Sequence, residues 1–220
     1  MSGSGGISQA LLNAAHAGAA GETSDPPGGA PSDGNLVGPN AIIQTRAALV
    51  DAYGAGRGRR IFRDAGLEAW FDTPPDRMVP ADRVHRLNSH LLAVLDGEAF
   101  EALMQDAGRR TGRYILENRI PAPARTLLGL LPPGLAARAL LKAIKANSWT
   151  FAGTAEVRIT PGHPAIIEIS ANPLPMPGCP WHAAVFQILF AALLKRPVVV
   201  SHRLAAAETR LDRFEVLWRG

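Results

Sequence analysis

The sequence predicts an α+β domain with a helical N-terminal half, followed by an antiparallel four-stranded sheet and one buried helix. Three observations predict this class. Helical periodicity fills most of residues 41–147. After Trp149 apolar residues alternate with polar ones, as in half-buried strands. Between the strands lies the almost wholly apolar run Ala183–Leu194, which is typical of a buried helix. Helices and antiparallel strands that occupy separate parts of a chain are typical of α+β domains.

The length of 220 residues fits one domain, and the composition, 47% hydrophobic and 19% charged, is that of a globular protein. No apolar stretch reaches the roughly 18 residues that a membrane-spanning helix needs. The single cysteine excludes an internal disulfide and fits a reducing compartment. The N-terminus lacks the basic residues of signal and transit peptides, so a cytoplasmic location is expected.

Residues 1–36 are mostly Gly, Ala, Ser, Pro and Asn, and contain no Lys or Arg. Such a segment cannot bury enough apolar surface to offset the entropy lost on ordering. We therefore expect a disordered tail over residues 1–36 and a single domain over residues 37–220.

The predicted domain is moderately basic. Without the three acidic residues of the tail, 23 basic side chains face 16 acidic ones, a net charge of about +7. Its basic residues form no long run and are not interleaved with aromatic residues, so nucleic acid is not an expected partner. An anionic membrane surface or a carboxylate-bearing ligand suits this charge equally well.

The helical half begins after Gly38-Pro39-Asn40, and Ala41–Tyr53 is the first predicted helix. The glycines of Gly54–Gly58 follow a helix, whereas the dinucleotide-binding fingerprint follows a strand, so a flexible turn is predicted there. Further helices are predicted over residues 58–65, 80–95 and 98–118, with a proline-broken stretch over residues 73–76. Prolines 132 and 133 divide residues 124–147 into two helices or kink them sharply.

The strands follow in the C-terminal part. Ala155, Val157 and Ile159 alternate with charged residues, and residues 165–169 repeat this pattern after a proline-containing turn, which predicts an antiparallel hairpin. A helix begins at Pro180. The last two predicted strands are Pro197–Ser201 and Leu211–Trp218.

The start of the apolar helix carries the most informative polar residues. Pro180 fits the first helical position, which makes Cys179 the N-cap and His182 the third helical residue. The positive end of the helix dipole favours a thiolate and disfavours an imidazolium, so we expect a neutral His182 with a lone pair for a ligand. Four interpretations stay open: a nucleophile with its base, half of a metal site, a capping cysteine beside a packed histidine, and the rim of an apolar pocket.

Two more histidines are candidate ligands. His85 and His90 are five residues apart on one predicted helix and so point about 140° apart. They cannot both enter one site, although either one could approach a ligand from an opposite wall.

Four separated segments occur in the order found in one known family: GNLVGPNAIIQ (34–44), TGRYILENRIP (111–121), WTFAGTAEV (149–157) and NPLPMPGCPWHAAVFQILFAALL (172–194). They resemble the BchJ-like proteins of the 4-vinyl reductase domain family. The resemblance implies a fold similar to the TRAPP vesicle-tethering subunits, often dimeric, and a small-molecule-binding module in bacteriochlorophyll biosynthesis. These proteins were named as 8-vinyl (formerly 4-vinyl) reductases, and a binding or delivery role has since been favoured.

One departure concerns zinc. Many family members have further cysteines near the last hairpin which, with an earlier one, can bind zinc. This sequence has Leu204 and Asp212 where we expect those cysteines. Only Cys179 remains, so zinc is not expected.

The resemblance and the residues together predict a carrier of a magnesium tetrapyrrole, of protochlorophyllide or magnesium-protoporphyrin type. Such a carrier needs an apolar cleft, a neutral imidazole for the magnesium and a cation for a propionate. The expected ligand-binding residues are His182 as the magnesium ligand, with Trp181, Phe186, Cys179, Trp149, Phe151, Arg113, Tyr114, Arg119, His85 and His90. No catalytic residue is assigned.

The alternative is a divinyl (proto)chlorophyllide 8-vinyl reductase. Vinyl reduction needs a nicotinamide, a flavin or an iron–sulfur site, and the sequence shows no motif for any of them. A third option is an interaction module without a ligand. The expected partners are the pigment intermediate and the enzymes of the pathway. A homodimer and a peripheral contact with the photosynthetic membrane are also compatible with the sequence.

Overall fold

The computed structural model describes residues 35–205 and 210–219. The predicted tail over residues 1–36 therefore lies outside the described residues, except for its last two positions. None of the helices in the described part is long and apolar enough to cross a membrane.

The N-terminal half is helical, as predicted. Its helices are α1 (Asn40–Asp64), α2 (Glu68–Asp72), α3 (Ala81–Val94), α4 (Gly97–Asn118), α5 (Ala122–Leu128), α6 (Pro133–Ala146) and α7 (Trp149–Ala152). Two short strands, β1 (Leu36–Val37) and β2 (Val79–Pro80), pair antiparallel. The prolines at 132 and 133 separate α5 from α6, as the sequence predicts.

The C-terminal half forms the predicted four-stranded antiparallel sheet. Its elements are β3 (Val157–Thr160), β4 (Ala165–Ser170), α8 (Pro180–Leu194), β5 (Val198–Ala205) and β6 (Leu211–Trp218). The strand order is β3-β4-β6-β5, so the last strand of the chain lies inside the sheet and β5 lies at an edge. The predicted α+β class is confirmed.

The local predictions hold in part. The first predicted helix does end at Tyr53, because Gly54, with φ 80° and ψ 157°, is not helical and α1 consists of two helical parts joined by a kink there. The predicted turn over Gly54–Gly58 is limited to Gly54, since the rest of the segment is helical. Gly58 is buried against the Phe71 ring, so packing keeps this segment helical despite its glycines. The short helix α2 was not predicted. The alternating pattern also begins later than Trp149, since α7 is a helical turn that ends at Gly153 with φ 54°.

Helix α8 is the centre of the domain and packs most extensively on α4. Two glycines of α4 allow the close approach. A Cβ atom at Gly108 would lie 2.4 Å from the Trp181 carbonyl oxygen, and one at Gly112 would lie 2.8 Å from the Ile188 Cβ. The other side of α8 contacts β5 and β6. Because of this position, the first turn of α8 is enclosed by helices and by the sheet.

Candidate functional site

The first turn of α8 has the predicted arrangement. Pro180 is the first helical residue, Cys179 precedes it in a left-handed conformation with φ 43°, and His182 is the third helical residue. The Cys179 side chain makes no capping hydrogen bond to the helix. His182 is only 1% exposed. The site therefore begins as a buried imidazole at the N-terminus of an apolar helix.

Aromatic rings surround the His182 imidazole. The ring centroids lie 5.0 Å from Trp181, 5.9 Å from Phe214, 6.2 Å from Phe151 and 6.4 Å from Phe186. We call His182 and these four residues the aromatic cluster. Trp181 and Phe186 belong to α8, Phe214 to β6 and Phe151 to α7. Three separate parts of the fold thus meet at one histidine.

The polar atoms of this cluster have no well-formed hydrogen bond. Among the described residues, neither ring nitrogen of His182 nor the indole nitrogen of Trp181 has a hydrogen-bond partner of normal geometry, although the Phe151 backbone interacts with the imidazole and favours its protonated form. Burial lowers the pKa of His182 from 6.5 to about 4, although the nearby Asp212 carboxylate acts in the opposite direction. The imidazole is therefore neutral at physiological pH, with a proton on one ring nitrogen and a lone pair on the other.

The space beside His182 is filled by the rings. A cavity of about 290 Å³ lies instead beside the outer side of the first turn of α8, between α4, α8 and β5. Its lining includes Glu101, Gln105, Arg109, Gln187 and His202, and contains none of the sequence-predicted ligand residues. Typical ligand pockets measure about 300–1,000 Å³, so this polar cavity is too small for a tetrapyrrole.

A second group of polar side chains lies next to the aromatic cluster. The ligand atoms of Cys179, His202 and Asp212 all lie within 4.8 Å of one another. The His202 Nε2 donates to Asp212 Oδ1 at 2.7 Å, and the Asn172 amide donates to Asp212 Oδ2 at 2.8 Å. We call Cys179, His202 and Asp212 the polar triad. His202 also lines the cavity, so the cavity leads to the triad.

The charge state of the triad differs from the sequence-based expectation. Burial raises the pKa of Cys179 to about 12, and the Asp212 carboxylate acts in the same direction. The expected thiolate at the helix N-terminus is therefore wrong, because desolvation outweighs the helix dipole. A protonated thiol is a poor nucleophile, which argues against covalent catalysis by Cys179. The pKa of Asp212 is lowered: burial opposes this shift, but hydrogen bonds from His202 and Asn172 outweigh it.

The sequence did not single out His202. One signal was present in the sequence: the alternation along β6 places Asp212 on the same buried face as Phe214 and Val216. The structure adds the pairing of His202 with Phe214 across the ladder. A buried carboxylate needs a partner, and the neighbouring strand supplies the imidazole. Leu204, the other position considered for zinc, is exposed.

The polar triad fits a zinc ion by its donor types. Zinc binds thiolate sulfur, imidazole nitrogen and carboxylate oxygen, and sites with three protein ligands keep a fourth position open. The side chains come from the α8 N-cap, from β5 and from β6. The expectation from the sequence that zinc is absent rested on Leu204 and Asp212 in place of the family's cysteines and on Cys179 as the one cysteine left, and it did not include His202 as a third ligand.

We expect Zn²⁺ to raise the melting temperature of the protein. Binding to the folded state at 100 times the dissociation constant stabilises it by about 2.7 kcal/mol. Cys179→Ser and His202→Ala should abolish the rise, whereas His85→Ala, at an exposed position, should keep it. Differential scanning calorimetry measures the shift, and a thiolate-to-Co²⁺ charge-transfer band reports the sulfur ligand. A wild-type protein with neither the shift nor the band contradicts the prediction.

Of the remaining predicted ligand residues, only Phe151 belongs to the aromatic cluster. Trp149 is half-buried on the same short helix and makes no ring contact within the described chain. Arg113 and Arg119 are exposed on and after α4, and Tyr114 is half-buried. His85 is exposed and His90 half-buried on α3, which packs chiefly on α1.

Comparisons with known proteins identify relatives of the whole domain. The chain is 39% identical over 199 residues to the bacteriochlorophyll synthase 23 kDa chain of Cereibacter sphaeroides, covering 87% of this chain and 95% of that protein. It is 39% identical over 169 residues to the protein of the same name from Rhodobacter capsulatus, covering 74% and 78%. No family model matches the chain.

Solved structures of the H-NOX family share the fold. One, from a study of heme distortion, has a TM-score of 0.52 at 14% identity and covers 82% of this chain and 94% of its own. Another, a Cs H-NOX mutant that contains 4-cyano-L-phenylalanine, has a TM-score of 0.54 at 13% identity and covers 84% and 97%. At this identity the likeness shows the fold alone. The family follows from the two sequence relatives: the chain belongs to the family of the bacteriochlorophyll synthase 23 kDa chain, the BchJ-like proteins.

Proposed function

We propose that this chain takes part in bacteriochlorophyll biosynthesis by binding a magnesium tetrapyrrole intermediate, of protochlorophyllide or magnesium-protoporphyrin type, and delivering it to enzymes of the pathway. The name of the two relatives supports the pathway. The observation that carries the binding step is the buried, neutral His182, whose ring nitrogens make no hydrogen bond of normal geometry within the described residues.

The unpartnered nitrogens favour a ligand because they cost stability in the ligand-free protein. A buried polar group without a hydrogen bond costs about 1–3 kcal/mol. A neutral imidazole is a common metal ligand, so a magnesium ion held in a macrocycle would satisfy one nitrogen of His182. The surrounding rings offer apolar faces to the macrocycle.

Binding requires the aromatic cluster to open, and Phe151 is the side chain that we expect to move. Trp181, Phe186 and Phe214 are at most 4% exposed, whereas Phe151 is half-buried. Phe151 also lies on the four-residue helix α7, which ends at Gly153. Moving α7 would break the hydrogen bond that the Gly38 N–H donates to the Thr150 carbonyl oxygen at 2.7 Å, but a single helical turn is still displaced at a smaller cost than the long helix α8 or the central strand β6.

A cation near the rim would pair with a propionate of the pigment. Arg113 remains the first candidate, because it is exposed and follows Gly112, which faces Ile188 about one to two turns along α8 from His182. Arg119 is also exposed, but it lies about two turns farther along α4, towards the C-terminal end of α8. An exposed ion pair contributes at most about 1 kcal/mol, so these residues would orient the macrocycle rather than provide most of the affinity.

A titration with magnesium protoporphyrin or protochlorophyllide tests this proposal. We expect the Soret band to shift on binding to the wild type, and His182→Leu to weaken binding at least tenfold, since the variant removes the nitrogen ligand and keeps an apolar side chain. The matched controls are His85→Leu and His90→Leu. An unchanged Soret band at micromolar wild-type protein contradicts the proposal. If binding is lost in His85→Leu or His90→Leu but not in His182→Leu, the magnesium ligand is a histidine of α3 instead.

The same preparation separates delivery from reduction. Incubation with a divinyl substrate and NADPH or reduced ferredoxin leaves the vinyl group intact if the protein is a carrier. A product that gains two hydrogens, detected by mass spectrometry, supports the 8-vinyl reductase instead. A protein that binds no pigment but forms a complex with pathway enzymes supports the interaction module.

A further inference from the structure

An exposed apolar surface lies where α5 meets α6. Leu127 is 41% exposed, Leu130 is 73% exposed and Leu135 is 53% exposed, and all three fall within nine consecutive residues. Burying these side chains against another apolar phase would be favourable. We call Leu127, Leu130, Leu135 and the exposed side of α6 the α5–α6 surface.

The same surface is positively charged. The spacing of Leu135, Arg138, Lys142 and Lys145 is three, four and three residues, which places them on one face of α6, and all four are exposed. Ala137, Leu140, Leu141 and Ile144 on the opposite face are buried. Exposed leucine thus lies beside a row of cations on one helix.

The segment that forms this surface contains no acidic residue. Residues 118–155 contain five Lys and Arg residues and no Asp or Glu. A further cation comes from outside the segment, because the Lys195 side chain lies across Gly129, next to Leu130. The surface therefore attracts anions, and its charge is partly offset only at the end of the row, where Glu156 interacts with Lys145.

We propose that the α5–α6 surface docks on an anionic lipid bilayer, with the leucines in the boundary between headgroups and acyl chains and the cations beside the lipid phosphates. This combination of exposed apolar side chains and Lys/Arg is the pattern by which amphipathic elements bind membrane surfaces. A soluble anion would pair with the cations but would leave the leucines exposed. The inference is independent of pigment binding.

Vesicle co-sedimentation tests the docking. The wild type should bind vesicles made of equal parts phosphatidylcholine and phosphatidylglycerol, bind pure phosphatidylcholine vesicles weakly, and lose affinity as salt is added. Replacing both Arg138 and Lys142 by glutamine should weaken binding, with each lost charge reducing the partition coefficient about fivefold. Replacing both Leu130 and Leu135 by serine should weaken it about tenfold or more, in proportion to the apolar area removed.

The matched control replaces exposed leucines of the sheet. Leu204→Ser and Leu217→Ser, at positions 59% and 41% exposed on β5 and β6, should leave vesicle binding unchanged. Circular dichroism confirms that each variant is folded. The proposal is overturned if the wild type does not bind anionic vesicles, or if the two double variants of the α5–α6 surface bind them as well as the wild type does. So does a wild-type dimer that becomes monomeric in the Leu130→Ser, Leu135→Ser variant, since the surface would then join two copies of the chain.

Discussion

Gly108→Ala is expected to destabilise the domain by about 2 kcal/mol, because it separates the two most extensively packed helices. The new Cβ would lie 2.4 Å from the Trp181 carbonyl oxygen and 2.8 Å from the Ala184 Cβ. A backbone oxygen cannot rotate away as a side chain does, so α4 and α8 must move apart. Overpacking of this kind costs about 1–3 kcal/mol, and the higher helix propensity of alanine returns up to about 1 kcal/mol.

Gly56→Ala is the matched control. Gly56 is also helical, in α1, but a Cβ atom there would meet nothing within 4 Å. We expect this variant to be stabilised by up to about 1 kcal/mol through helix propensity alone. Urea unfolding followed by circular dichroism measures both changes. Equal effects of the two substitutions would show that α4 and α8 are not in close contact at Gly108.

The Gly108 variant also reports on the site. The clashing oxygen belongs to Trp181, which is in the aromatic cluster and adjacent to His182. Moving the first turn of α8 should therefore weaken pigment binding as well as stability. Gly112→Ala, which presses on Ile188 farther along the helix, should affect stability more than binding.

His182→Leu is expected to make the ligand-free protein more stable while it removes pigment binding. At neutral pH the gain is about 1–2 kcal/mol, because two buried ring nitrogens without hydrogen bonds of normal geometry leave the core and a side chain of similar size replaces them. A purely structural histidine would give the opposite sign for stability. The comparison thus distinguishes a residue kept for binding from one kept for packing.

The pH dependence of stability gives a second signature of His182. Its pKa is 6.5 when unfolded and about 4 in the folded protein, because burial disfavours the imidazolium. Below pH 6.5 His182 binds a proton in the unfolded chain, whereas in the folded protein it stays neutral until the pH approaches 4. Stability is therefore fully present above pH 6.5 and is lost as the pH falls towards 4, by about 3 kcal/mol in total.

His182→Leu should abolish most of this loss. The nearby titratable groups are Asp212 and His202, and the pKa of Asp212 is lowered from 3.8, so its titration lies below the window. Chemical unfolding at a series of pH values measures the slope, with the exposed His85→Leu as the control. A slope that persists unchanged in His182→Leu would show that another group is responsible.

Much of the site was visible in the sequence because it lies within one helical turn. Pro180 predicts the helix start, and the position of His182 as the third helical residue predicts a neutral imidazole; the structure has both, with burial as the main cause of the low pKa. His182 and Phe214 are 32 residues apart in the sequence. Periodicity within one segment cannot predict a contact between such distant residues. The same limit applies to His202 and Asp212, whose pairing depends on the β5–β6 register.

The sequence by itself determined the class of the domain, most of its helices and strands, and the neutral histidine at the start of α8, because each depends on neighbours along the chain. Only the tertiary structure decided that aromatic rings enclose that histidine, that the Cys179 thiol keeps its proton, and that His202 and Asp212 lie beside it. The physical reason is that burial and the electrostatic field at a side chain are set by residues distant in sequence, which periodicity and spacing do not record.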